Sequence, residues 1–459
     1  MIERLKKLIA KSVKSDSLEM NRIKTASYKN VSFKNDSFKI DAFKIIENRI
    51  TASELFFVKK GLDMYRTKNV HNFNITVYKN FEEESVSYTG SSSAIIHPTM
   101  SDEEILQVIE EVSFAASFIK NKYYPLLEPS HKNQPQLISN FSEKPLNEWL
   151  STLTSAVYNS DTCDSGGINS SELFLNKVFT RIVSSTGIDV SYTTYKGELE
   201  FITNWKEDTE EIELYKHIDF SEMDYALIDE KVKAMLIISK EKAIASPTPA
   251  LGKYNILLNG TPVIELLNYY VTQASAKTVY NGMSLAKLGE NIQGEDVMGD
   301  LITLTLDPFM KNSTKSSPYD SNGFPVDSVK IFNGGVLNMY HGDLRHCHYL
   351  NVEPTGNISN FVIEGGNYSI ADFKMEPYLE IIAFSDFQMD TLTGDFAGEI
   401  RLGWFFDGTN TIPVTGGSIS GNIKKLQKQM YLSKELQKDN NFIGPKIVKL
   451  LNVNVTGIE

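Results

Sequence analysis

Asn333-Gly334-Gly335 separates two apolar runs, 326–332 and 336–340. An Asn-Gly step between such runs is a strong short-range signal for a β-hairpin, because a tight primed turn needs the positive φ that glycine adopts without strain. A hairpin here commits its flanks to a sheet, and the upstream segment agrees. Ile302, Leu304 and Leu306 alternate with Thr303 and Thr305, which puts three aliphatic side chains on one face of a strand and two hydroxyls on the other. Between the two, Asp320 and Asn322 can cap their own backbone and Gly323 can take positive φ, so 319–325 reads as a turn. The stretch 282–357 is therefore predicted to be β-sheet at the heart of the larger core.

At 459 residues, 41% of them hydrophobic, the chain is long enough for two domains with cores of their own. A net charge of −12 argues against a dedicated nucleic-acid binder, since phosphate contacts need clustered Lys and Arg. The first 80 residues are nevertheless basic, with 17 Lys and Arg against 8 Asp and Glu. That excess reads as a solvated sheet face or as a surface for an acidic partner. Two cysteines, Cys163 and Cys347, are too few for a disulfide framework and fit a reducing compartment. The opening MIERLKKLIAKSVKSD breaks its apolar residues with charges at helical spacing, unlike a secretory signal, and no apolar run is long enough to span a bilayer. The expectation is a cytoplasmic protein with no membrane partner.

Taken in order, Ile2, Leu5, Leu8, Ile9 and Val13 form one stripe of an amphipathic helix. Residues 25–44, 55–58 and 73–78 lean to period two and read as strands. Ser101 to Glu104 is a capping-box pattern, followed by Ile105, Val108, Ile109, Val112, Ala116 and Ile119 at helical spacing. A second helix is predicted from Pro145, burying Leu146, Trp149, Leu150, Leu153 and Val157, and strands at 188–192 and 198–202. A helix over 225–245 leads to Ser246-Pro247-Thr248-Pro249, where two prolines place the domain boundary nearby. Beyond it come a strand at 253–258, a turn at Asn259-Gly260 and a helix over 262–274 with Pro262 in its first turn. Strands are expected after Asn357, with a polar helix around 423–437. The predicted architecture is α+β (mixed α/β): an N-terminal α/β domain, 1–225, then a β-rich C-terminal domain, 226–459.

Read for chemistry, the most concentrated cluster is His341, His346, Cys347 and His348. If this segment is extended, His346 and His348 share a face at a spacing suited to two imidazoles on one ion, with Asp343 in reach. The structural alternative, in which these residues only pack, stays open. Cys163 lies in an acidic, glycine-rich loop that disfavours a thiolate nucleophile. Asp307, Asp320 and Asp395 either gather into an acidic site or serve separately as turn caps.

The segments LAKLGENI (285–292), TLTLDPF (303–309), PYDSNGFP (318–325), FNGGVLNMY (332–340) and PTGN (354–357) follow in the order and spacing of the TldD/PmbA family, once called modulators of DNA gyrase. Gly394-Asp395-Phe396 and GWFFDGTNTIPVTGGSISGN (403–422) extend the match. The chain resembles the PmbA (TldE) branch, most clearly in its C-terminal half. The resemblance implies a curved, barrel-like sheet in the C-terminal domain. It also implies a position for the zinc motif His-Glu-x-x-x-His that the TldD branch carries on a helix. If the Leu-Leu preceding that motif matches Leu266-Leu267, the ligand positions fall on Asn268 and Gln273 and the general base on Tyr269, none of which suits the role. The late ligand cysteine of that branch has no counterpart after Cys347 either.

By resemblance, then, this chain is a non-catalytic, TldE/PmbA-like subunit of a metalloprotease that degrades or trims unfolded peptides. It carries no metal or cofactor itself, zinc being expected on a TldD-like partner with which it forms a heterodimer. A homodimer is the alternative assembly. Two rival functions stay open: an autonomous metal-dependent hydrolase working as a homodimer, and a non-proteolytic binding or modulator protein.

Overall fold

The computed structural model describes residues 1–14, 40–130, 132–163, 165–207 and 210–457. The strand reading for 25–44 falls mostly outside them; its last residues open the first strand. In chain order the first half contains α1 (Ile2–Lys14), β1 (Ala42–Val58), β2 (Gly61–Glu83), β3 (Val86–Ile96), α2 (Asp102–Ala116), β4 (Asn121–Lys122), α3 (Leu150–Tyr158), β5 (Gly166–Ser184), β6 (Asp189–Glu207), β7 (Glu210–Phe220) and α4 (Tyr225–Ala243). The strands form one antiparallel sheet in the order β4-β3-β2-β1-β5-β6-β7. Helices α1 and α2 bury Leu5, Ile105 and Ile109 against Ile45, Phe73 and Ile75 of β1 and β2. Helices α3 and α4 bury Leu153, Ile228 and Val232 against Leu55, Leu173 and Leu199. Helix α4 thus shares the core of the first half.

The capping box forms: the Ser101 hydroxyl accepts from Glu104 N, and the Glu104 carboxylate accepts from Ser101 N. The helix stops at Ala116, however, and Ile119 lies beyond it in an exposed position. The strands expected at 188–192 and 198–202 are one continuous strand, β6. Gly197 does not interrupt it, because the space its side chain would fill belongs to the Phe220 ring of β7; a Cβ there would lie 2.1 Å from that ring.

The second half contains β8 (Ser246–Pro247), β9 (Gly252–Asn259), α5 (Thr261–Gln273), α6 (Ala276–Tyr280), β10 (Leu304–Leu306), β11 (Val329–Asn333), β12 (Val336–Leu337), α7 (Leu344–Leu350), β13 (Phe361–Ile363), α8 (Ile370–Phe373), β14 (Tyr378–Met389), β15 (Asp395–Phe406), β16 (Thr411–Thr415), β17 (Ser418–Asn422), α9 (Ile423–Leu426), β18 (Met430–Leu432), β19 (Leu436–Asp439), β20 (Phe442–Pro445) and β21 (Ile447–Thr456). Strands β9, β21, β17, β15 and β14 pair in a ring, since β14 bonds both β9 and β15, and so close a five-stranded barrel. A curled half-barrel sheet accompanies it, so the mixed α+β architecture and the barrel-like curvature are as expected.

The predicted hairpin is β11–β12. Asn333 pairs with Val336, and Gly334 and Gly335 take φ of 56° and 82° in the turn. It belongs to a second sheet, β12-β11-β10-β13-β20-β19, whose Leu304, Leu306, Ile331 and Phe361 share one core with the barrel. Pro247 sits in β8, a two-residue strand on the edge of the barrel sheet, where a missing N–H is tolerated. The polar helix expected over 423–437 forms only in its first half, as α9 and a 3-10 turn over Gln427–Gln429, and strands β18 and β19 follow it. Met430 and Leu432 alternate with Tyr431 and bury against β21, and that burial outweighs the helical propensity of the Lys and Gln residues around them.

Candidate functional site

Helix α5 stands between the barrel and the second sheet, where Val263, Leu266, Leu267 and Tyr270 contribute to the core of both. Gly260, with φ of 75°, makes the turn that starts it, and Pro262 occupies its first turn. Asn268 is exposed, Tyr269 is 1% exposed and Gln273 is fully buried. Asn268 therefore faces solvent while Gln273 lies in the core. The Gln273 amide is already committed: Nε2 donates to Thr391 O at 2.9 Å and Oε1 accepts from Leu285 N at 2.8 Å. Burial pushes the Tyr269 phenol up to about 12, which keeps it protonated near neutrality and unfit as a base.

The His341–His348 segment is not extended. The Asp343 carboxylate accepts from His346 N at 2.8 Å as an N-cap, and the residues that follow wind into α7, ending at Asn351 with φ of 54°. Residues two apart on a helix face nearly opposite ways. His346 is buried, with Nδ1 on Asp343 Oδ1 at 2.8 Å, while His348 is exposed. Cys347 is fully buried and burial pushes its thiol up to about 11, so it is a packing residue rather than a nucleophile or ligand. His341 lies apart, its Nε2 bonded to Val271 O at 2.8 Å and its backbone bonded to Ala274 and Ala276 at the end of α5. The four residues therefore do not assemble around one ion.

His341 has a measurable consequence. Burial holds its imidazole below the ordinary value of 6.5, against the upward pull of the Val271 carbonyl. The unfolded chain then binds a proton that the folded chain resists. The contribution of this residue is complete above the unfolded value and is lost as pH falls toward the folded one. Unfolding free energies from denaturant titration should fall below about pH 6.5 with a slope of up to about 1.4 kcal/mol per pH unit. His341→Gln should flatten that slope, and an unchanged slope would assign the titration elsewhere.

Asp307, Asp320 and Asp395 act separately. Asp307 accepts from Phe309 N, Asp320 accepts from Asn322 N and Phe324 N, and Asp395 accepts from Asn422 Nδ2. Cys163 is exposed in its loop. Among the described residues, one other group brings metal-type donors together: Glu198 and Glu200 on β6 with His217 on β7, their ligand atoms within 4.8 Å of one another. His217 Nε2 is 3.2 Å from Glu198 Oε1 and 3.6 Å from Asp219 Oδ1, a partly exposed arrangement that an imidazolium would bridge. Burial raises the Glu198 carboxyl, which His217 opposes. This group is not among the candidates that the sequence suggests. Its trace was present as acidic and His residues alternating at period two in two neighbouring strands, but which strands paired was not legible.

Residues 251–457 match the family model of the PmbA/TldA metallopeptidase C-terminal domain. An uncharacterized protein of Methanocaldococcus jannaschii is 24% identical over 353 residues, 72% of this chain and 80% of that protein. A metalloprotease PmbA homolog of Buchnera aphidicola (from Acyrthosiphon pisum) is 22% identical over 51% of this chain, which spans about half of that relative, 55% of its length. The crystal structure of TldE from Thermococcus kodakarensis superposes with a TM-score of 0.73 at 17% identity, over 91% of this chain and 97% of that one. The resemblance read from the motifs between 285 and 422 is thereby borne out, and the likeness in fold extends over both halves.

A match to a metallopeptidase domain model raises the question of zinc on α5. Zinc takes imidazole, thiolate or carboxylate donors that converge. Here Asn268 and Gln273 carry amides rather than those donors, Tyr269 stays protonated, and no cysteine follows Cys347 in the sequence. The residues on this helix do not fit the ion.

Proposed function

We propose, from the membership of residues 251–457 in the PmbA/TldA metallopeptidase C-terminal domain family, that this chain is a TldE/PmbA-like, non-catalytic subunit. It pairs with a TldD-like metalloprotease in the cytoplasm, and the assembly degrades or trims unfolded peptides. The observation that carries this reading is α5: its apolar stripe is intact and central to the core, while its Asn268, Tyr269 and Gln273 offer a zinc ion nothing to bind. Such a helix keeps the fold and its pairing surface without keeping the chemistry. The decisive measurement is metal content per chain after dialysis against a chelator, alongside peptide cleavage by this chain, by a TldD-like subunit and by their mixture. Zinc and cleavage are expected in the mixture and in neither respect from this chain alone. Chelator-sensitive turnover from this chain by itself would overturn the reading.

A rival reading, an autonomous metal-dependent hydrolase, finds its support in Glu198, Glu200 and His217, the group whose donors do converge. It predicts metal on the isolated chain that disappears in His217→Asn. The α7 histidines, by contrast, should be dispensable for chemistry. Replacing His346 and His348 together by Asn should leave partner-dependent cleavage within about threefold, a barrier change of roughly 0.7 kcal/mol or less. A loss of several orders of magnitude in a folded, pairing variant would place the reaction on α7.

A further inference from the structure

Strand β2 outruns its outer neighbour. It pairs with β1 from Tyr78 opposite Ala42 down to Gly61 opposite Val58. With β3 it pairs only from Phe73, opposite Ile96, onward. Strand β3 ends there, and Pro98, which has no N–H, follows two residues later. Among the described residues no other strand pairs with the outer side of β2 over residues 61–72. At about 3.4 Å per residue this leaves roughly 40 Å of open sheet edge. Residues 61–70 are exposed on both faces of the strand, and Leu62, Met64, Tyr65 and Val70 are among them.

Monomeric proteins guard such edges with free lysines, prolines or bulges, because a row of unpaired N–H and C=O groups is a template for another strand. Here the guard is thin. The segment has no proline, and its two cations are turned onto a carboxylate of β1 that is 2% exposed: Lys68 Nζ lies 2.6 Å from Glu54 Oε1, and Arg66 Nε bonds Glu54 Oε2. One bulge occurs, at Asp63, where the register slips between Phe56 and Phe57, so Met64–Asn72 stays regular.

The shape of the opening selects its occupant. An antiparallel strand laid along residues 61–72 continues the line of β3 and is stopped at one end by Ile96. The overhang itself has the matching length. Turned about a twofold axis normal to the sheet near Thr67, residues 61–72 of a second copy fill the opening, with Gly61 of that copy meeting Ile96. The same rotation fills the opening of the second copy, so both edges close together and none is left for a third chain. A foreign strand would close one edge only. About this axis Met64 stands opposite Val70 of the second copy, twice, while Arg66 faces Lys68 across the seam, a like-charge contact that the Glu54 of each copy offsets. We propose that the outer edge of β2 is a self-association surface, where two copies of this chain pair antiparallel and join their seven-stranded sheets into one. This concerns the chain by itself and does not rest on the peptidase reading.

The test uses the full chain without a partner. Sedimentation equilibrium should show a monomer–dimer equilibrium with about half the chain dimeric by roughly 50 μM or below. Met64→Lys combined with Val70→Lys places the missing guard at two exposed positions and should weaken the dimer by about thirtyfold or more, with the monomer melting near the parent. Tyr65→Lys, on the opposite face of the strand, is the second variant and should weaken it by about tenfold. Leu251→Lys, exposed in the second half of the chain, should leave it unchanged. Amide exchange read by mass spectrometry should show protection over residues 64–72 that grows with protein concentration. A chain that stays monomeric up to roughly 300 μM, or a dimer that both lysine variants leave unmoved, would overturn the proposal. So would protection over 64–72 that is independent of concentration, since another segment of the same chain would then cover the edge. A dimer formed through this edge by a chain that supports no cleavage with any TldD-like subunit would overturn the peptidase reading and leave this surface standing.

Discussion

Writing His-Glu-x-x-x-His onto α5 through Asn268→His, Tyr269→Glu and Gln273→His is expected to unfold the chain before it binds zinc. Tyr269 is 1% exposed and packs edge-on against Tyr270, with ring centroids 5.2 Å apart. A glutamate there buries a carboxylate with no cation to meet it, and an unpaired buried charge costs on the order of 3–5 kcal/mol. Lost aromatic packing adds to this. Gln273→His takes the acceptor from Leu285 N and the donor from Thr391 O in a fully buried place. Against a typical stability of about 5–15 kcal/mol, the sum leaves little or no folded protein. Asn268→His, at the exposed position, should by itself change stability by about 0.5 kcal/mol or less. Thermal melts of the single and triple variants, with zinc per chain after chelation, read the outcome directly. A well-folded triple variant holding one zinc would show that α5 keeps a metal-site geometry and that only its side chains had changed.

Gly90→Ala should destabilise the protein far more than Gly334→Ala. A Cβ at Gly90 would lie 1.9 Å from Ala116 O and 2.8 Å from Ile119 O, so even one methyl must push the end of α2 off β3. Backbone atoms cannot rotate away as a side chain does, and overpacking of this kind costs about 3 kcal/mol or more. At Gly334 nothing lies within 4 Å, and the penalty is only that of a side chain at φ of 56°, about 1 kcal/mol. With a shift of roughly 2–4 °C per kcal/mol in domains of this size, Gly90→Ala should melt at least about 6 °C lower and Gly334→Ala only a few degrees lower. Comparable melts would mean that the α2–β3 junction yields freely, and that the exposed end of the helix beyond Ala116 is not fixed by that contact.

Features written in adjacent residues were legible in the sequence. The α2 capping box, the positive-φ hairpin at Gly334-Gly335, the Ile302 to Leu306 alternation and the ordered motifs from 285 to 422 all depend on spacings of one to four residues or on a string of turns. Each appears in the structure as local chemistry requires. What only the tertiary structure decided depends on residues far apart. The Phe220 ring fills the space above Gly197 and so keeps β6 whole. Strand β21 recruits Met430 and Leu432 from what reads as helix. Pairing of β6 with β7 brings Glu198 and Glu200 to His217, and docking of the Asp320 turn on β1 brings Ser321 O and Asn322 Oδ1 to Lys44. At His346 and His348 the local signal was present, since Asp343 is an ordinary N-cap three residues ahead, but one-residue alternation and helical winding place the same histidines on one face or on opposite faces. Side-chain identity is set by the chain alone; which side chains share a site is set by pairing and burial, whose free energy comes from contacts that no short window contains.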